Sequence, residues 1–289
     1  MTARPWRLAG RILRGVPPHS PLTGQPPHAH PEFDLGHVPI CLIGLGAATG
    51  AALALAYGLA WRLYGDLATL RIIPAALTLA GLMLLLFPRA WSALVRLDAL
   101  LHRPPRNARR ARMHASNPAH GSTSGATPTI LTLLLFAALL AIPVPLYQQR
   151  SDADGLLARL QPPVPFDALA LAPMWFVAGI MMAATLGRPA RQADRLTAAF
   201  CLYVRARHAS LAAALPAGLC AWWLSPGIAA PYGISTACLS LTLSFLTAAW
   251  LVRPARGHTT HTLQACGFLT MLYYLLIYLA TASELIRMR

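Results

Sequence analysis

Acidic residues are scarce in this chain, and lysine is absent. Only nine of the 289 residues are Asp or Glu, all 24 Lys and Arg positions are arginine, and charged residues make up 11% of the chain. Because 56% of the residues are hydrophobic and the mean hydropathy is +0.51, too little polar surface remains for a soluble globule. The composition therefore predicts a membrane protein.

The missing residue types also exclude several kinds of site. No acidic residue lies deep inside an apolar run, whereas proton- and sodium-coupled transporters need carboxylates within the membrane. The five cysteines form no C-x-x-C pair, which argues against a zinc site or a disulfide framework. The histidine clusters, 28–37 and 258–261, lack a defined ligand geometry. No Gly-x-Ser-x-Gly elbow indicates a Ser-His-Asp hydrolase.

Seven apolar runs approach the length of about 20 residues that a helix needs to cross a bilayer. We expect an all-α, polytopic transmembrane bundle of about seven helices, in which Pro143, Pro173 and Pro216 kink helices rather than end them. Because two runs are short, six to eight crossings stay open. The runs cover residues 39–60, 72–87, 129–147, 167–187, 209–224, 230–252 and 263–281.

Arginine is unevenly distributed among the segments between the runs. Eighteen of the 24 arginines lie on the side of the N-terminus if each run crosses once. The positive-inside rule then predicts a cytoplasmic N-terminus in a bacterial inner membrane. Residues 1–38 form a cytoplasmic arm without the apolar stretch of a signal peptide, and residues 39–289 form one membrane domain with cytoplasmic loops at 88–128 and 188–208. Topology accounts for the positive charge, so no nucleic acid partner is expected.

The loop at 88–128 has two interpretations. It begins with an amphipathic stretch over residues 91–101 and then becomes basic. In the first interpretation it is an interfacial helix whose arginines contact anionic membrane lipid. In the second the arginines bind the phosphate groups of a substrate, because guanidinium offers planar, bidentate donors. The arginines concerned are Arg103, Arg106, Arg109, Arg110 and Arg112.

Three stretches resemble the cobalamin-5′-phosphate synthase family, the adenosylcobinamide-GDP ribazoletransferases. The first stretch, residues 12–18 (ILRGVPP) followed by residues 34–50, is similar to the family's N-terminal arm and Gly-rich first helix. Residues 253–265 (RPARGHTTHTLQA) resemble the Gly-x-Thr-Gly-Asp-Thr-Leu-Gly-Ala that precedes the family's final helix. Residues 113–116 (MHAS) lie where the family carries Met-Arg-Asp-Ser.

The resemblance implies a reaction at the cytoplasmic face of the membrane. A family member joins adenosylcobinamide-GDP to α-ribazole 5′-phosphate with Mg²⁺ and releases GMP. By the same resemblance, Thr259, His261 and Thr262 are expected to contact substrate. Other membrane proteins of late cobalamin synthesis are the implied partners.

The acidic residues of that family are largely missing here. In place of its Asp-Gly-x-x-Asp-x-x-Asp-Gly metal-binding run this chain has only Asp98, and Ala115 and His261 stand where two further aspartates occur. Phosphoryl transfer of this kind needs carboxylates to hold the metal. We therefore expect a catalytically impaired relative, a pseudoenzyme that keeps the helical membrane fold and acts in binding or assembly.

Two alternatives stay open. One is an active, Mg²⁺-dependent transferase with a rearranged site, in which Asp98, His114 and Ser116 are catalytic and Asp98 is the only candidate metal ligand. The other is a non-enzymatic membrane scaffold or small-molecule permease. The sequence shows no internal repeat of the kind that secondary transporters contain, and it predicts no particular oligomeric state.

Overall fold

All regular structure in the described part of the chain is helical. The computed structural model describes residues 5–14, 35–64, 72–85, 126–141, 166–190, 193, 195–223, 230–255 and 257–287. Within these ranges we number the helices α1 Pro5–Arg14, α2 Val38–Tyr64, α3 Ile72–Leu85, α4 Ala126–Ala141, α5 Phe166–Leu186, α6 Arg195–Tyr203, α7 Ala206–Trp223, α8 Ala230–Ala255 and α9 Thr260–Arg287.

Each of the seven apolar runs contains a helix. Among the described residues, four helices are long and apolar enough to cross a membrane, with spans at Val38–Ala60 in α2, Ala168–Leu186 in α5, Tyr232–Leu251 in α8 and Thr260–Thr281 in α9. The expectation of a helical membrane protein is thus confirmed for the described residues, while the number of crossings stays a prediction. Two helices, α1 and α6, lie in segments that were expected to be an arm and a loop.

Helix α5 is the centre of the bundle, because it packs against α2, α6, α7, α8 and α9. Every residue from 171 to 181 is buried. A helix that is apolar on all sides is expected to lie inside a bundle, and the sequence of α5 (FDALALAPMWFVAGIMMAATL) has no polar face in this stretch. Its largest side chains, Trp175 and Phe176, are both fully buried.

Glycines bring α5 close to its two main partners. A Cβ at Gly267 of α9 would lie 2.8 Å from the carbonyl oxygen of Phe176, and a Cβ at Gly46 of α2 would lie 3.2 Å from that of Pro173. At Gly50 the added carbon would collide with the backbone of Ala170. In lipid, helices associate through such close contacts between small residues rather than through a hydrophobic driving force.

The other helices surround this centre. Helix α7 packs on α5 and α8, α3 packs on α2, and α4 packs on α3 and α9. Large apolar side chains point outward from α2 and α8, as expected of surfaces that contact lipid acyl chains. These side chains include Leu55, Leu59, Leu63, Ile234, Leu239, Leu246 and Trp250.

Gly50 and Gly218 form a matched pair for testing the close packing. Gly50→Ala should lower the free energy of unfolding by about 1–3 kcal/mol, because a methyl group there overpacks the α2–α5 contact. Gly218→Ala should leave stability equal or slightly higher, because Gly218 has no atom within 4 Å of the added carbon and alanine favours the helix. Thermal unfolding in detergent measures both, and equal midpoints for the two variants would contradict the packing assignment.

Candidate functional site

One end of the bundle gathers most of the polar contacts between segments. Three hydrogen bonds define it: Tyr203 to the Gly36 carbonyl, His258 to the Arg188 carbonyl, and Gln264 to the Ile12 carbonyl. We call this the basic end. It comprises α1, residues 187–190 after α5, α6, the first turn of α7, and residues 257–264. The arginines whose side chains the structure describes are Arg7, Arg11, Arg188, Arg195, Arg207 and Arg205, which directly precedes α7.

The acidic residues of the described helices lie at the opposite end. Asp167 is the second residue of α5 and Glu284 is in the last turn of α9, and both positions are far along their helices from the basic end. Asp34 and Asp194 are next to the basic end in sequence but lie outside the described residues. The described part of the basic end therefore carries positive charge without a described carboxylate.

A short backbone pairing links the end of α5 to the start of α9. The His258 N–H donates to the Arg188 carbonyl at 2.8 Å, and the Ala190 N–H donates to the His258 carbonyl at 2.9 Å. This is the parallel bridge between Pro189 and His258. We call it the junction, and it fixes where the α9 helix begins.

Gly257 is required for the junction. Its φ of 123° is a conformation that residues with a Cβ rarely adopt. A Cβ at this position would also lie 2.7 Å from the Arg188 carbonyl oxygen. Glycine at this position therefore allows the chain to enter the pairing.

The two threonines that were expected to contact substrate cap α9. The Thr259 N–H donates to Thr262 Oγ1 at 2.8 Å, and the Thr262 N–H donates to Thr259 Oγ1 at 3.3 Å. This reciprocal arrangement is that of a capping box, which satisfies free N–H groups of a first helical turn. Both hydroxyl groups thus have structural partners in the described residues.

His258 places an imidazole ring in the interior beneath the junction. The residue is fully buried, and its Nδ1 lies 3.4 Å from Thr262 Oγ1. Nε2 has no hydrogen-bond partner of ordinary geometry. Burial lowers the pKa of His258 to about 4, an effect that the nearby Ala183 carbonyl partly opposes. The ring is consequently neutral at pH 7.

Gln264 attaches the N-terminal helix to α9. Its side-chain Nε2 donates to the carbonyls of Ile12 at 2.7 Å and Leu13 at 2.8 Å. Both acceptors are in the last turn of α1, where carbonyl groups lack partners within the helix. The Gln264 amide therefore caps α1 from a position 251 residues away along the chain.

Helices α6 and α7 complete the basic end. Thr197 of α6 shares a hydrogen bond of 2.8 Å with Thr260 at the start of α9. The Tyr203 ring stacks on His208 with centroids 5.6 Å apart, and the Arg205 N–H donates to His208 Nδ1. The pKa of His208 is lowered by partial burial, then by the positive charges of Arg207 and Arg205. Both arginines thus contribute positive charge beside this ring.

Most of the predicted site residues lie outside the described residues. These are Asp98, His114, Ser116 and the arginines of the 88–128 loop, and Asp194 lies outside as well. Of the predicted substrate-binding residues, Thr259, His261 and Thr262 are described and all lie at the basic end. His261 is half-buried and has contacts there. In the described part of the chain, no three His, Cys, Asp or Glu side chains come together as metal ligands would.

Comparisons of the chain with protein-family models, with curated proteins and with solved structures found no match. The resemblance to the ribazoletransferases therefore depends on the three short stretches themselves. Sequence reasoning missed Arg188, His258 and Gln264. Only Gln264 carried a visible signal, as a polar residue at the start of an apolar run. The pairing of Arg188 with His258 is a tertiary contact with no sequence signature.

The buried His258 predicts a pH dependence of stability. Between about pH 6.5, the ordinary pKa, and about pH 4, the unfolded chain binds a proton that the folded chain does not. Stability should therefore fall by up to about 3 kcal/mol as the pH is lowered through this window. His258→Gln should remove this contribution, as measured by unfolding midpoints at pH 7, 6 and 5.

The exposed His37 provides the control. His37→Gln should retain the acid sensitivity of the wild-type chain, since its side chain is open to solvent. If His258→Gln loses stability between pH 7 and 5 as steeply as wild type does, the neutral buried imidazole is not the cause.

Proposed function

We propose that the chain is a multi-pass protein of the bacterial cytoplasmic membrane, with seven crossings, a cytoplasmic N-terminus and the basic end on the cytoplasmic side. The convergence of α1, residues 187–190 and residues 257–264 supports this topology, because alternate segments must meet at one end if each run crosses once. Their shared arginine content supports the orientation through the positive-inside rule.

We further propose that the basic end binds the phosphate-bearing substrates of the ribazoletransferase reaction, as a catalytically impaired relative of that family. One observation carries this proposal. Gln264 lies in one of the stretches that resemble the family, and it donates to Ile12 and Leu13 at the start of another. Two stretches that lie far apart in sequence are therefore in contact, as parts of one site would be.

The chemistry of this end suits anion binding better than group transfer. Arginine guanidinium groups bind phosphate through paired N–H donors. Arg205 and Arg207 place positive charge beside His208, whose pKa is lowered first by burial and then by these two charges. Transfer to α-ribazole 5′-phosphate would need Mg²⁺ and carboxylate ligands, and Asp98 is the only residue that we assign as a candidate. Binding, or assembly with other late cobalamin-pathway membrane proteins, is the proposed role.

Purified protein in detergent tests binding and turnover separately. We expect α-ribazole 5′-phosphate or adenosylcobinamide-GDP to bind, with little or no GMP released in the presence of Mg²⁺. The proposed topology puts the 88–128 loop on the same side as the basic end. Replacing Arg109 and Arg110 of that loop by Gln should therefore weaken binding at least tenfold, since charge-assisted hydrogen bonds are each worth about 1.5–3 kcal/mol. Arg159→Gln is the control, because residue 159 lies in a loop of the opposite predicted side.

Each failure has a distinct meaning. Rapid GMP release would overturn the proposed impairment, and Asp98→Ala would then abolish activity if the rearranged site is correct. Failure of both substrates to bind would remove the ribazoletransferase relationship and favour the membrane scaffold or permease.

A further inference from the structure

Helix α1 has one apolar face and one basic face. Leu8, Ala9, Ile12 and Leu13 are buried against the bundle, and their spacing places them on one side of a helix. Arg7 and Arg11, one turn apart, are exposed on the other side. Neither arginine forms an ion pair with any residue that the structure describes.

The contacts of α1 place it at the depth of a membrane surface. The Trp6 ring lies against Gly44, in the second turn of α2. At the other end of α1, the last turn accepts hydrogen bonds from Gln264, which is in the second turn of α9. Both partners are near the start of a span of membrane length, Val38–Ala60 and Thr260–Thr281 respectively. Helix α1 therefore lies across the ends of two such spans, where hydrocarbon gives way to headgroups.

The exposed side chains of α1, a tryptophan and two arginines, are of the types found at a membrane–water interface. Trp6 is 55% exposed, although its ring rests on Gly44, so a large part of the indole faces outward. Tryptophan is enriched at the membrane–water interface because it combines an apolar ring with an N–H donor. Arginine beside it can extend its guanidinium to phosphate oxygens while its methylene groups cover apolar surface.

We propose that the exposed face of α1, formed by Trp6, Arg7 and Arg11, binds the headgroups of anionic phospholipids. The charge of the two arginines selects an anionic lipid over a zwitterionic one. The buried face of the helix packs against α2 and is bonded at its end by Gln264 of α9. Lipid is therefore the proposed partner of the face that the described residues leave exposed. This proposal does not depend on the ribazoletransferase relationship.

Lipid binding at this face should also stabilise α9, through the contact of Gln264 with α1. Because the Gln264 amide bonds the last turn of α1, a lipid that holds α1 in place also stabilises the first turns of α9. Those turns carry the Thr259–Thr262 cap and follow the junction. Anionic lipid should therefore order the basic end as a whole.

Hydrogen exchange of the full-length protein in nanodiscs tests the proposal. The experiment compares discs of pure phosphatidylcholine with discs in which about a third of the lipid is phosphatidylglycerol. Amides of residues 8–13 should exchange roughly tenfold more slowly in the anionic discs, from the attraction of two arginines near the surface. High salt should reduce the difference, because it screens exposed charges.

Matched variants separate lipid binding from helix docking. Arg7→Gln with Arg11→Gln should abolish the difference between the two lipids. Arg205→Gln with Arg207→Gln, just before α7 and in its first turn at the same end, should retain it. Gln264→Leu should speed the exchange of α1 in both discs. Because Arg7 and Arg11 are exposed, their replacement should leave the fold intact.

Two results would overturn the proposal. The first is equal protection of α1 in zwitterionic and anionic discs. The second is that α1 in phosphatidylcholine discs with added inorganic phosphate is protected as strongly as in the anionic discs. The face would then be a site for free anions. Since neither cobalamin substrate is present, both results are distinguishable from failure of the proposed function.

Discussion

The close approach of α5 to α2 and α9 is the contact on which the remaining structure depends. Within a bilayer, lipid tails are as apolar as the helices, so only tight packing favours helix association over contact with lipid. Gly46, Gly50, Gly179 and Gly267 provide that packing, because at each position a side chain would meet an atom of the neighbouring helix. The glycines thus hold together three helices that carry few polar contacts in their spans.

This packing also determines the geometry of the basic end. Helices α5 and α9 run in opposite directions, so the end of one and the start of the other reach the same level. The distance between them is short enough for Arg188 and Ala190 to pair with His258. Gln264, one turn further along α9, then meets α1. The basic end is therefore positioned by the packing of the core, and a change in helix separation would disturb each of these contacts.

Sequence alone predicted the helical membrane fold because span length and hydrophobicity are local properties. The seven runs contain helices, and the helices continue through Pro173 and Pro216 as expected. Pro143, for which the same was expected, lies outside the described residues. The sequence did not predict α1, although Leu8, Ile12 and Leu13 have helical spacing. Ten residues rarely form a stable helix without tertiary support. That support comes from Gln264 and Trp6, whose contacts no local pattern reveals.

The candidate site was harder to predict than the fold for a similar reason. Residues in the stretch 257–262 were predicted to contact substrate because the stretch resembles a catalytic motif. The spacing of Thr259 and Thr262 also fits a helix cap, and spacing alone does not distinguish the two roles. Most of the other predicted site residues lie outside the described residues. Their grouping with the basic end therefore stays a prediction from topology.

The arrangement of charge at the basic end limits where an anion can bind. The interior of this end is neutral at pH 7, because burial holds the pKa of His258 far below its ordinary value. The positive charges lie at the rim, where Arg7, Arg11, Arg205 and Arg207 are exposed. A doubly charged phosphate in the buried junction would lose its hydration and gain no cation there. At the rim it keeps water and meets guanidinium groups, so the proposed phosphate binding, by lipid or by substrate, is assigned to the surface of the end rather than to its core.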